Sequence, residues 1–201
     1  MFGRRTIDIL VEQFGLAPAE AAYLVATGVD DKHAEIERAR GLRAVPGAAR
    51  FARAALASGI PCAIVSSASA GNIGLALEAI GLAGRFVVII DHDRVARGKP
   101  APDPYLLAAA ELGVRPQACV VFEDTAPGVA AAHAAGAKCV GVASHGRPDL
   151  VAAADLVIAD FRGQTPAGLL NRLGGRAPRA AARDARCRGT STAGAEAGRR
   201  S

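Results

Sequence analysis

The chain has 201 residues, 51% of them apolar but only 4% aromatic and none of them Trp, so one domain with a core packed mainly by Ala, Val, Leu and Ile is expected. No uncharged apolar stretch reaches the roughly 18 residues of a membrane span, and the basic start Met1-Phe2-Gly3-Arg4-Arg5 lacks the apolar run of a secretory signal, which together suggest a cytoplasmic protein with no membrane partner. The net charge of +5 does not argue for nucleic acid: from Leu173 onward stand seven Arg against one Asp and one Glu, which leaves 17 basic and 17 acidic residues in the rest.

Three zones follow in chain order. Residues 1–41 show helical spacing. Ile7, Leu10, Val11 and Phe14 share a face, and a second apolar run from Ala19 to Val25 begins just after Pro18, a residue suited to a helix start. Residues 42–172 alternate strand-like and helical segments. The apolar runs Cys62–Val65, Phe86–Ile90, Cys119–Phe122, Cys139–Val142 and Leu156–Ala159 read as strands. Ala70–Ile80, Pro104–Leu112 and Pro127–Ala135 read as helices, with Gly81, Gly113 and Gly136 where a C-cap wants a left-handed residue. Leu150–Asp160 reads as a last helix and strand. Continuous apolar strands alternating with helices predict an α/β fold, a Rossmann-like parallel sheet covered on both faces. Residues 173–201 are rich in Gly, Ala, Arg, Ser and Thr and read as a disordered tail. That tail carries no aromatic side chain to stack on bases, so no nucleic-acid partner is expected. Cys62, Cys119 and Cys139 sit in or beside the strand-like runs, Cys187 in the tail, and no pair has metal-ligand spacing, so reduced thiols are expected.

Ligands of an open parallel sheet bind beyond the carboxyl ends of its strands. The polar residues that follow each apolar run are therefore the candidates. Ser66-Ser67-Ala68-Ser69 follow the first, Asp91-His92-Asp93 and then Gly98-Lys99-Pro100 the second, Glu123-Asp124-Thr125 the third. Hydroxyls and helix N-terminal amides, at Ser66, Ser67 and Ala68, can donate to phosphate oxygens. Ser67 also suits the N-cap of the helix starting near Ala70. Lys99, in a stiff Gly-Lys-Pro turn, can balance the charge of a phosphate. Adjacent carboxylates at Glu123 and Asp124 repel unless a cation lies between them, and a hard cation such as Mg²⁺ takes oxygen ligands while keeping sites for substrate. Asp91, His92 and Asp93 read as loop residues.

The segments IVSSAS, GKPAPDPYLLAA and VVFEDTAPGVAAAHAAG, in this order and spacing, resemble the second, third and fourth motifs of the haloacid dehalogenase superfamily. They are most similar to the branch of β-phosphoglucomutases and sugar-phosphate phosphatases, and the likeness spans about Met1 to Val142. The resemblance implies that Ser67 binds the transferred phosphoryl group, that Lys99 bridges phosphate and nucleophile, and that Asp124, with Glu123, holds Mg²⁺. It implies that residues 1–41 are part of a helical cap, with Arg4, Arg5 and Lys32 approaching the substrate. It also implies an Asp-x-Asp motif on a first, central strand ahead of the cap, whose first Asp attacks phosphorus and whose second serves as general acid and base. Asp8 and Asp30-Asp31 follow no strand-like run and do not substitute for it. The expectation is therefore a superfamily core with its first strand missing and its nucleophile upstream of Met1, through a late-assigned start or a truncated gene. The function implied is Mg²⁺-dependent hydrolysis of a small sugar phosphate or similar phosphorylated metabolite. The alternatives are β-phosphoglucomutase-type transfer and a non-catalytic remnant. The acid pair argues against the metal-free dehalogenase branch, and nothing in the sequence selects an oligomeric state.

Overall fold

In a computed structural model of the protein, residues 44–144 and 146–174 are described. The expected cap over residues 1–41, with Arg4, Arg5 and Lys32, and nearly all of the expected tail lie outside these residues.

The elements in order are α1 (Ala48–Ala57), β1 (Ala63–Val65), α2 (Ala70–Ala79), β2 (Val88–Ile90), α3 (Asp103–Glu111), β3 (Val120–Glu123), α4 (Ala126–Ala134), β4 (Lys138–Val142), β5 (Leu156–Ile158) and α5 (Pro166–Arg172). All ladders are parallel, as the alternation of apolar runs and helices predicts. Each expected strand is present, most of them trimmed at the ends. Gly81, Gly113 and Gly136 close α2, α3 and α4 with φ of 67°, 67° and 82°.

Two differences from the expected elements stand out. The helices α1 and α5 belong to the fold without having been expected. The helix expected after Leu150 is instead a single 3₁₀ turn over Pro148–Val151. Its Val151 is fully buried against Gly141 of β4, where any side chain would collide with it. That close approach leaves room for one turn between β4 and β5.

The described strands form two sheets rather than one. β1 pairs with β2, Ala63 beside Val88, and β3–β4–β5 pair in sequence order, Val120 beside Lys138 and Val140 beside Leu156. Among the described residues, β1 and β3 have no ladder hydrogen bonds to one another.

Helices join the two sheets on both faces. On one face, Ala49 and Ala52 of α1 pack with Ile73 and Leu77 of α2, while Phe51 of α1 packs with Val140, Val142 and Ile158 of the three-stranded sheet. There the rings of Phe51, Phe122 and Phe161 meet pairwise at 5.0–5.5 Å between centroids. Arg53 of α1 adds a clip to the end of α2, donating to the carbonyls of Ile80 at 2.8 Å and Gly81 at 3.3 Å. On the other face α3 does the same work: Ala108 packs with Val88 and Ile90, while Tyr105 packs with Val129, Ala132 and Cys139.

Strand periodicity then decides where the chemistry lies. Successive residues of a strand face opposite ways. Val120 and Phe122 of β3 join the α1 side, and Val121 joins the α3 and α4 side. Glu123, two residues on from Val121, therefore faces α3 and α4 too.

Candidate active site

β3 ends at Glu123, and the chain turns at once into α4. Thr125 caps that helix, its Oγ1 accepting from the amide of Gly128 at 3.2 Å, with Pro127 in the first turn where its missing N–H costs nothing. The turn leaves the Glu123 side chain pressed against Gly128. A Cβ built at Gly128 would fall inside the Glu123 carboxyl group, so only glycine fits there.

Glu123 is buried and fully engaged. Lys99 Nζ and the Tyr105 hydroxyl both donate to its Oε1, and Thr125 Oγ1 donates to Oε2 at 3.0 Å. All four residues are buried, between 6% and 8% exposed. Burial of a lysine and a glutamate is costly unless they are paired and hydrogen-bonded, and here both conditions hold. The ammonium of Lys99 also lies 5.3 Å from the centre of the Tyr105 ring, within reach of its negative face. Burial, and then the charge of Glu123, push the Tyr105 phenol well above its ordinary pKa, which keeps the hydroxyl a donor.

The loop that carries Lys99 is held from both sides. The Lys99–Pro100 bond is cis. Arg97 and Asp103 form a bidentate pair at 3.0 and 2.9 Å, tying the loop to the start of α3. Asp91, expected as a plain loop residue, is nearly buried and caps the 3₁₀ turn His92–Arg94, accepting from the amides of Asp93 at 3.1 Å and Arg94 at 3.2 Å.

The loop after β1 resolves the two readings of its serines. Ser69, not Ser67, caps α2, accepting from the amide of Asn72 at 3.4 Å. Ser66 Oγ accepts from the amide of Ala68 at 3.1 Å, so that amide is engaged within the loop. The loop is tied to the neighbouring strand by Ser66 N donating to Ile90 O at 2.9 Å. Ser67 stands between these two anchored serines and is partly exposed. Val65, two residues before it, packs against the cluster that holds Tyr105.

Of the residues singled out in the sequence, Lys99 and Glu123 are thus in direct contact. Asp124 follows Glu123 and is exposed, where Glu123 is buried. Tyr105 and Gly128 lie within the quoted motifs without standing among the candidates, and Thr125, a candidate by its place after the third apolar run, had no role assigned to it. The available signal was a tyrosine at a buried helix position beside a Glu-x-Thr turn.

The donor set suits a hard divalent cation in a limited way. Among the described residues no group of three or more His, Cys, Asp or Glu side chains forms a ready cage. Glu123 spends its oxygens on Lys99, Tyr105 and Thr125, which leaves Asp124 as the exposed carboxylate beside it. Mg²⁺ is commonly held by one or two carboxylates, with waters and substrate phosphate completing the shell, so the set fits with Asp124 as the protein ligand. A separate depression of about 550 Å³ lies between α1 and α5, lined by Arg50, Ser58 and Leu170 among others, and contains none of these residues.

The model of the haloacid dehalogenase-like hydrolase family matches residues 4–136. Hexitol phosphatase A of Escherichia coli is 41% identical over 113 residues, covering 55% of this chain and 51% of that protein. A β-phosphoglucomutase of Mycobacterium tuberculosis is 37% identical over 155 residues, covering 71% of this chain and 58% of that protein. The crystal structure of a CbbY mutant from Rhodobacter sphaeroides in complex with xylulose-1,5-bisphosphate superposes with a TM-score of 0.64 at 30% identity, covering 77% of this chain and 69% of that one. The chain spans about half the length of these two curated relatives. No helix among the described residues is long and apolar enough to cross a membrane.

Proposed function

Because the chain belongs to the haloacid dehalogenase-like hydrolase family, we propose that it forms the phosphate-handling core of a Mg²⁺-dependent phosphatase for a small sugar phosphate or similar phosphorylated metabolite. The observation that carries this reading is the buried Lys99, its ammonium fixed by Glu123 at the end of β3 beside the exposed Asp124. A buried ion pair is a poor source of net stability, because desolvation offsets most of the attraction. A charge held in a dry, fixed place is well suited to stabilise charge that develops in a reaction.

In the proposed chemistry a carboxylate attacks phosphorus, forming an aspartyl-phosphate and breaking the bond from phosphorus to the substrate oxygen, which leaves as a hydroxyl after taking a proton. Water then cleaves the acyl phosphate to inorganic phosphate and the free carboxylate. Lys99 offsets the negative charge shared by the phosphoryl group and the attacking carboxylate. Ser67 donates to a phosphoryl oxygen, with Ser66 and Ala68 shaping its loop. Asp124 holds the cation, which when bound supplies further charge compensation. The attacking carboxylate lies outside residues 44–174, on a strand that would stand between β1 and β3. Return of the phosphoryl group to a second hydroxyl, as in a mutase, is a second reading, favoured by the similarity to the mycobacterial β-phosphoglucomutase.

The test compares hydrolysis of para-nitrophenyl phosphate with Mg²⁺ by this chain and by the chain preceded by an apolar strand bearing Asp-x-Asp. Turnover is expected from the longer protein, with a loss of at least ~100-fold in Asp124→Ala and in Lys99→Ala. Turnover by the 201 residues alone that vanishes in Asp124→Ala would overturn the assignment of the nucleophile to another segment.

A further inference from the structure

We propose that Tyr105 is a positioning residue for Lys99, acting through the carboxylate that the two side chains share. This rests on the reading of Lys99 as the phosphate-facing cation. Its basis is a difference between what packing needs and what the sequence supplies. Tyr105 sits on the buried face of α3 with Pro104, Ala108 and Ala109, and a phenylalanine ring would fill the same space. The hydroxyl adds something else: it donates to Glu123 Oε1, the oxygen that also receives Lys99 Nζ. Thr125 holds the other oxygen at 3.0 Å, and Gly128 closes the remaining side. The carboxylate is therefore located by three contacts before the lysine is counted.

Lysine is a point charge on a flexible four-carbon stem, and a single partner leaves it considerable freedom. In this site the ammonium is bounded by an immobilised carboxylate oxygen and by the Tyr105 ring 5.3 Å away. Without the hydroxyl, the Glu123 oxygen keeps only the lysine as donor, and the pair can shift together. The ring remains, so the fold does not depend on the change, while the precision of the charge does.

Two measurements on the full chain test this. The first is calorimetric binding of inorganic phosphate in the presence of Mg²⁺. Loss of one hydrogen bond to a charged group predicts roughly tenfold weaker binding in Tyr105→Phe, with a larger loss in Lys99→Met. Full affinity in Tyr105→Phe alongside loss in Lys99→Met overturns the positioning role alone. No binding by the wild-type chain, or unchanged binding in Lys99→Met, overturns the phosphate reading instead. The second measurement then decides the linkage by itself. The chain has two tyrosines and no Trp, so Tyr105 is the sole emitter in a Tyr23→Phe background. A phenol that donates to a carboxylate is quenched by excited-state proton transfer. Emission is expected to rise severalfold in Glu123→Gln and to change in Lys99→Met. Emission indifferent to both substitutions overturns the shared-carboxylate linkage.

Discussion

The smallest residue in the site constrains it most tightly. Gly128 has no side chain because Glu123 occupies the space where one would begin. Gly128→Ala must therefore displace the carboxyl group, and with it the partners of Lys99, Tyr105 and Thr125. Overpacking of this kind costs about 1–3 kcal/mol, and here the disturbance of a buried ion pair adds to it. Urea unfolding is expected to show a loss at or above the upper end of that range. A loss below about 0.5 kcal/mol would mean that Glu123 can turn elsewhere without penalty. The thiols show the same dependence on surroundings: burial raises Cys139 to about 12, so it is not a nucleophile at neutral pH.

Among the elements, the clasp between β4, β5 and α4 belongs to Asp155. It precedes β5 by one residue and accepts from the amide of Cys139 at 2.8 Å and from Lys138 Nζ at 2.6 Å, with His133 Nε2 at 3.0 Å. The hydrogen bonds from Lys138 and from the Cys139 amide hold its carboxyl well below the usual carboxylate range. A carboxylate whose pKa falls on folding binds fewer protons in the folded state than in the unfolded state. Its contribution is thus complete above its unfolded pKa, about 4, and is lost as pH drops further. Asp155→Asn is expected to lower the urea midpoint clearly at pH 7 and by a somewhat smaller amount at pH 3, where the loss of this contribution has only begun. An equal loss at both values would show that the carboxylate charge does not hold this clasp.

On the scale of the whole molecule, two parallel sheets share no described ladder between β1 and β3 and are spanned instead by α1 and α3. Phe51 anchors α1 to the three-stranded sheet, its ring meeting both Phe122 and Phe161, while Ala49 and Ala52 of the same helix pack toward β1 and β2. Phe51→Ala is expected to cost about 3–5 kcal/mol in chemical unfolding, and a loss of less than 1 kcal/mol would show that α1 is held to the three-stranded sheet by other means. The amino-acid sequence by itself determined the parallel α/β plan, because apolar runs of strand length alternate with helices closed by Gly81, Gly113 and Gly136, and these signals are local. It also marked Ser67, Lys99, Glu123 and Asp124 as a set, because each follows a strand where such sheets bind ligands. What it did not carry was the division of labour among neighbours: that Ser69 rather than Ser67 caps α2, and that Glu123 turns inward to Lys99 and Tyr105 while Asp124 stays exposed. Only the tertiary structure decided these points, since adjacent residues of one chemical type differ by the face of the strand they occupy and by what other segments bring to that face.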